Sequence, residues 1–318
     1  MRTRQWLLNA LTAAILVGLG ACGGGGGDDT PAGPTIDIST VNRDTVAHAT
    51  VAGVFGLTLG TTTPLASGSS GSARSMAAWL QTQSARLASV AAQREHSMAV
   101  IGPIVEPCQV SGSVAVTWDD ADNSGTLTVG DVLTSVASNC QDVAGETTNG
   151  TMVITALSAT TGRVAMTELA FDTTRHAITL NGSVRLQDVS ADTGKTTTEG
   201  AVTVNVTLKH LSPPFTDTVT LQSGFVAQET ITNGEIISTI DGLLESAAAG
   251  GVVRVSTPSN TPIRQFGTYP YTGVLQIKGM NSALQMTVLS ADQVRLDLDT
   301  DNNGTFESTS TVPWDWLL

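Results

Sequence analysis

From Cys108 to the C-terminus the chain repeats one pattern: apolar residues, mostly Val, Leu and Ile, alternate with polar ones, mostly Thr and Ser. Successive strand residues point to opposite faces, so this period-two pattern specifies strands with one face buried and one wet. Val202-Thr-Val-Asn-Val-Thr-Leu208 is the cleanest example. Alternating runs are read near 109–118, 127–138, 150–158, 162–171 and 175–189. They continue near 198–209, 217–230, 234–241, 250–257, 272–279, 283–289, 292–299 and 305–311. The connections are short, as at Thr161-Gly162, Asn233-Gly234 and Gly250-Gly251, and short links join antiparallel neighbours. The expected fold is therefore mainly β: a long antiparallel meander curled into a sandwich or open barrel, because so many strands do not stay flat. An outer-membrane barrel is excluded by the aromatic content, 5 Trp, 2 Tyr and 6 Phe with no girdles flanking apolar bands.

Between the first two runs lies Asp120-Ala-Asp122-Asn-Ser124-Gly125-Thr126-Leu-Thr128-Val-Gly-Asp131. Calcium takes six to eight oxygens, and a twelve-residue loop supplies them from positions 1, 3, 5, 7, 9 and 12. Those positions are Asp120, Asp122, Ser124, Thr126 (by its carbonyl), Thr128 and Asp131, with Gly125 at the turn. Asp131 stands where a longer Glu is usual. The segment resembles the calcium loop of the EF-hand without its helices, because strand patterns flank it. A second loop, Asp299-Thr-Asp301-Asn-Asn303-Gly304-Thr305-Phe-Glu307, fills the early positions but has Ser310 at position 12. A carboxylate such as Asp315 would have to fold in. Asp122-Asn-Ser-Gly-Thr-Leu and Asp301-Asn-Asn-Gly-Thr-Phe match each other.

Cys108 and Cys140 bracket the first loop. A hairpin folded at their midpoint, Ser124, sets Cys108 opposite Cys140, Val114 opposite Thr134 and Val116 opposite Val132. Directly opposed residues approach closely enough for a disulfide.

Arg2 and Arg4 precede an apolar run from Trp6 to Leu19, a basic and then apolar arrangement that reads as a secretory signal over 1–21. Leu19-Gly-Ala-Cys22 is similar to the lipobox of bacterial lipoproteins, which implies that Cys22 is lipidated at the mature N-terminus. Removing Cys22 leaves one cysteine pair, as suits an oxidising compartment. By the same resemblance Gly23 after the lipidated Cys favours the outer membrane, on its periplasmic or surface face. Residues 22–37 form a Gly-rich tether, 38–107 a helical N-terminal region, and 108–318 the antiparallel β domain. Within 38–107, residues 44–57 permit a short helix. Residues 75–98 carry an apolar stripe of Met76, Leu80, Leu87, Val90 and Ala91.

The formal net charge is −13, and only three lysines occur, Lys195, Lys209 and Lys278. This field repels phosphate backbones and excludes nucleic acid. His48, His96, His176 and His210 are scattered with no metal-ligand spacing, and no Gly-x-Ser-x-Gly, Ser-x-x-Lys or His-Glu-x-x-His occurs. Glu168, Asp172 and His176 could meet across a hairpin, as could many polar trios in any sheet. The whole order of lipobox, Gly run, Ala-rich helix, Cys-bracketed acidic loop and C-terminal acidic loop before a Trp resembles uncharacterised lipoproteins of Gram-negative bacteria. That resemblance implies location and architecture and carries no activity. The expectation is a non-enzymatic envelope lipoprotein with calcium as its bound ion. It would be a binding or structural module, held to the membrane by its lipid and meeting an unknown protein or apolar ligand. The alternatives are a carrier enclosing an apolar ligand in the curled sheet, with the 75–98 helix as lid, and an enzyme with no recognisable motif.

Overall fold

In a computed structural model, residues 33–58, 100–124, 128–187, 193–266 and 269–318 are described. The signal, Cys22, most of the tether and the 75–98 helix lie outside them. The described chain is mainly β, one antiparallel sheet of 17 strands curling in a ring.

Every recorded strand pair is antiparallel, and with each split strand counted as one, every pair joins neighbours along the chain. The sheet starts with β1 (Val100–Pro107), β2 (Ser111–Asp119), β3 (Val132–Val143), β4 (Glu146–Ser158), β5 (Thr161–Asp172) and β6 (His176–Gln187). Next comes one long strand in two pieces, β7 (Thr193–Thr198) and β8 (Val202–Leu208), which together line β6. Its neighbour is also in two pieces, β9 (Phe215–Leu221) and β10 (Val226–Thr232), followed by the continuous β11 (Glu235–Ser246). A third split strand, β12 (Gly251–Ser256) and β13 (Ile263–Gln265), leads to β14 (Pro270–Lys278), β15 (Ala283–Val288), β16 (Gln293–Asp299) and β17 (Ser308–Pro313). The sequence pattern runs through the second break, so 217–230 reads as one strand, whereas 198–209 matches β8 and no run is read for β7 or β13. The sheet also begins earlier than expected, since β1 occupies 100–107 inside the stretch assigned to the helical region. Pro103 sits at a register shift between Ile101 and Ile104. A proline's missing N–H is tolerated at a bulge of that kind.

The breaks line up across the sheet as a crease. Register shifts fall between Ser111 and Ser113, Asn149 and Thr151, and Met166 and Leu169. Gly150 and Gly182 sit on this line at φ +106° and +131°, where a side chain is strained. A Cβ on Gly150 would lie 2.1 Å from the Glu168 carbonyl oxygen, and one on Gly182 2.7 Å from that of Ala201. The preceding asparagines take up the freed donors: Asn149 Oδ1 accepts from Asn139 N at 2.7 Å, and Asn181 Oδ1 from Glu168 N at 2.8 Å. Further along, Thr198 Oγ1 donates to the Gln222 carbonyl at 2.6 Å and accepts from Phe225 N at 3.0 Å. Bulges bend a strand and raise its twist, so a row of them folds a long sheet over itself.

What the sheet folds over is α1 (Arg43–Thr58). Val46, Ala47, Ala49, Val51, Ala52 and Val54 are all buried, and the helix packs against β8, β9 and β11. A helix apolar on most sides belongs inside a fold rather than on it. The inward residues of β8, Val202, Val204, Val206 and Leu208, are buried, whereas Thr203, Asn205 and Thr207 face outward. Apolar inside and polar outside is the reverse of a membrane barrel. The chain closes with α2 (Trp314–Leu317), whose Trp314 and Leu317 are buried and which touches α1.

Candidate metal centres

The pairs Asp119–Val132 and Leu298–Ser308 close the two acidic hairpins, leaving Asp120 to Asp131 and Asp299 to Glu307 as loops. β2 and β16 run in opposite senses in the meander, so the two loops follow opposite ends of the strands.

In the first loop one carboxylate oxygen from each of Asp120, Asp122 and Asp131 lies within 4.8 Å of the others. Asp120 and Asp131 are buried and Asp122 is exposed. Ser124 N donates to Asp120 Oδ1 and Asp122 Oδ1, both at 3.0 Å. Asp131 braces the loop from its far end: its Oδ1 accepts from Ala121 N at 2.9 Å and its Oδ2 from Thr128 N at 2.7 Å. Thr128 Oγ1 donates to Asp122 Oδ2 at 2.9 Å. Hydrogen bonds from Ser124 and Thr128 hold the Asp122 carboxyl below its ordinary range. Asp131 therefore reaches the group despite being shorter than Glu. The carbonyl assigned to Thr126 lies outside the described residues.

The second loop repeats the turn. Asn303 N donates to Asp299 Oδ1 at 3.1 Å and Asp301 Oδ1 at 3.2 Å, and Gly304 N to Asp299 Oδ2 at 2.7 Å. Burial pushes Asp299 up, but the N–H groups of Gly304, Asn303, Asp301 and Asn302 outweigh it and hold its carboxyl below the usual range. The third carboxylate is Glu307, which accepts from Thr300 N at 2.7 Å and joins Asp299 and Asp301 within 4.8 Å. Asn303 Oδ1 accepts from Thr305 N at 2.7 Å, so that side-chain oxygen also orders the loop. Asp315 does not complete this site; it accepts from Tyr269 Oη at 2.7 Å and lies 3.5 Å from Arg175.

Three carboxylates this close are costly, since like charges about 4 Å apart repel by roughly 1–4 kcal/mol per pair between water and a protein surface. Among the described residues no Lys, Arg or His side chain pairs with Asp122, Asp131, Asp299, Asp301 or Glu307. An oxygen already holding one N–H keeps a second lone pair for a cation. The all-oxygen donor set fits a hard ion of the calcium type rather than zinc or copper.

Cys108 and Cys140 are joined, with Cα atoms 5.5 Å apart. The register differs from the midpoint hairpin, however: Val114 pairs with Ala137 and Val116 with Ser135. The whole acidic loop stays out of the ladder, which shifts the pairing by three residues. The bulges near Gly112 and Asn139 absorb the shift and bring the cysteines back together.

The polar trio does not meet. Asp172 pairs with Lys209, Glu168 is exposed at the crease, and His176 is buried. The fold instead gathers histidines that the sequence left scattered. His48 and His210 line one groove of about 480 Å³ with Leu211, Ser212, Pro213, Pro214, Phe215 and Trp316. His48 lies 5.0 Å from the Phe215 ring and 4.3 Å from the Trp316 ring, centroid to centroid. His176 is only 4% exposed and neither of its ring nitrogens has a hydrogen-bond partner. Burial, then Arg175, His210 and Lys209, drive its pKa down to about 4. No spacing in the sequence could signal this grouping, because α1 reaches the groove only through the completed sheet. No protein-family model, curated protein or solved structure matches the chain.

Proposed function

We propose that the protein is a non-enzymatic envelope lipoprotein, a binding or structural module rigidified by calcium. The first ion site is Asp120, Asp122 and Asp131, with Ser124 and Thr128 ordering the loop. The second is Asp299, Asp301 and Glu307, with Asn303 and Thr305 doing the same. The observation that carries this reading is the repeated turn in which one N–H serves two carboxylates, with a third carboxylate closing the group. Lipidation at Cys22 and outer-membrane anchorage rest on the lipobox. The carrier alternative is less well supported, because α1 fills the concave side of the sheet where an apolar ligand would have to sit.

The test is thermal unfolding of the full chain in detergent, with calcium and with chelator. An ion at a hundred times its dissociation constant stabilises by about 2.7 kcal/mol per site. Calcium should raise the melting temperature, and Asp122→Ala should remove part of the rise. Identical melting curves in calcium and chelator would sink the proposal.

A further inference from the structure

The described chain enters the fold at one end of the sheet. β11, β14 and β16 run in the same sense, so the turns that follow them share that end. Residues 35–43 are stitched across these turns. Thr35 N donates to the Val252 carbonyl at 2.9 Å, and Met280 N to the Ile36 carbonyl at 2.8 Å. Asn281 N donates to Asp37 Oδ1 and Ile38 N to Ser282 Oγ, both at 2.6 Å, and Arg43 Nη1 lies 3.5 Å from Ser308 Oγ. The entering segment is therefore held to the turn tips.

Apolar side chains stand at this end and stay out of the core. Val41 is 92% exposed, Met280 57% and Phe306 43%. The turn after β11 is Ala247-Ala248-Ala249-Gly250, uncharged, with Ala247 and Ala248 exposed. Lys278 is exposed at the end of β14, two residues before Met280. A long cationic side chain beside exposed apolar ones suits a lipid interface, where its stem lies in the apolar layer and its ammonium reaches phosphate. Asp37, Asp301 and Glu307 stand at the same end, so an anionic surface is repelled and headgroups carrying both charges fit.

Cys22 stands eleven residues before Gly33, where the described fold begins. Eleven residues span at most about 40 Å. The far end of the sheet lies roughly a further 40 Å away, the length of the 12-residue β11. An anchor at Cys22 therefore brings this end to a bilayer before the other.

We infer that this end of the domain rests on the bilayer. Val41, Met280 and Phe306 enter the interfacial layer of a zwitterionic phospholipid surface, and Lys278 reaches its phosphates. This deepens the envelope reading and rests on the lipid anchor of that reading; it needs no bound ion.

The experiment uses the full chain, purified from the membranes of a Gram-negative host and reconstituted into vesicles of phosphatidylcholine and phosphatidylethanolamine. Val41→Cys, Met280→Cys and Phe306→Cys are each labelled with a nitrobenzoxadiazole thiol probe. Thr232→Cys, paired with Glu235 at the far end of β11, is the reference. The parent should take no label, since Cys108 and Cys140 are joined and an acylated Cys22 has no thiol. In vesicles the three sites should emit at shorter wavelength than the reference. Lipids with a doxyl group near the headgroup should quench them at least about twofold more, because interfacial apolar groups lie about 5–10 Å into the headgroup boundary. A chain that floats with the vesicles while all four sites emit and quench alike overturns the inference and leaves the anchor standing. A parent that takes label at Cys22 and does not float removes the anchor and the inference together. Short-wavelength emission without lipid quenching would mean that a protein, such as a second copy, covers the three sites, and would overturn it too.

Discussion

Asn123 and Asn302 hold the same left-handed backbone, φ 55° and 54°, and each directly precedes the residue whose N–H joins two carboxylates. Asparagine tolerates this conformation at small cost. The matching hexapeptides therefore encode a matching turn.

The two loops belong to different hairpins and their carboxylate groups share no side chain, so their effects should add. Asp122→Asn and Asp301→Asn should each remove part of the calcium-dependent rise in melting temperature. The double variant should remove their sum, within about 0.5 kcal/mol. A double variant no worse than either single one would mean that only one loop takes the ion.

Joining Cys108 to Cys140 across a sequence separation of 32 should stabilise the fold by about 3–4 kcal/mol in the chain-entropy model. The Cys108→Ser, Cys140→Ser variant should unfold at correspondingly lower denaturant. It should keep its calcium response, since the pairs from Val114–Ala137 to Asp119–Val132 lie between the bond and the loop. Equilibrium denaturation with and without calcium checks both halves.

Gly182→Ala should destabilise by roughly 2–3 kcal/mol, combining a strained φ with a Cβ driven against the backbone of the next strand. Gly234→Ala is the control. Its φ is +81°, but it lies at a hairpin tip with nothing within 4 Å. It should cost about 1 kcal/mol, the conformational term alone. Urea midpoints for the two variants measure the difference.

His176 makes the fold sensitive to acid. Its folded pKa, about 4, is below the 6.5 of an exposed histidine, so as pH falls through that window the unfolded chain takes up a proton that the folded chain refuses. Stability is undiminished above about pH 6.5 and is lost progressively toward pH 4. His176→Phe should flatten that loss, provided that the ring fits the buried site. Melting temperatures at pH 7, 5.5 and 4 for both proteins give the comparison.

The meander was legible because period-two alternation and short connections leave few other topologies, and Asn233-Gly234 marks its turn directly, with Thr232 paired to Glu235. The strand breaks were not legible. Thr198, Gln222 and Phe225 look like strand residues, and only their cross-strand partners make the crease. β1 was hidden by Pro103 and Pro107, which act as breakers everywhere except at a bulge or an edge. The acidic loops were legible as clusters of carboxylates, but not the way the second one closes. Glu307 joins Asp299 and Asp301 because Leu298 and Ser308 end the ladder just outside it. The histidine groove had no local signature at all.

The placement of α1 has a consequence for how the protein is made. Every strand can zip onto the one before it, so the sheet needs only short-range closures, which are fast. α1 is the exception: it precedes the sheet in the chain but docks on β8, β9 and β11, far downstream. It cannot find its seat until most of the chain has emerged. Assembly therefore ends with a helix made before the sheet, and the N-terminal end of the described domain is the last part to be locked.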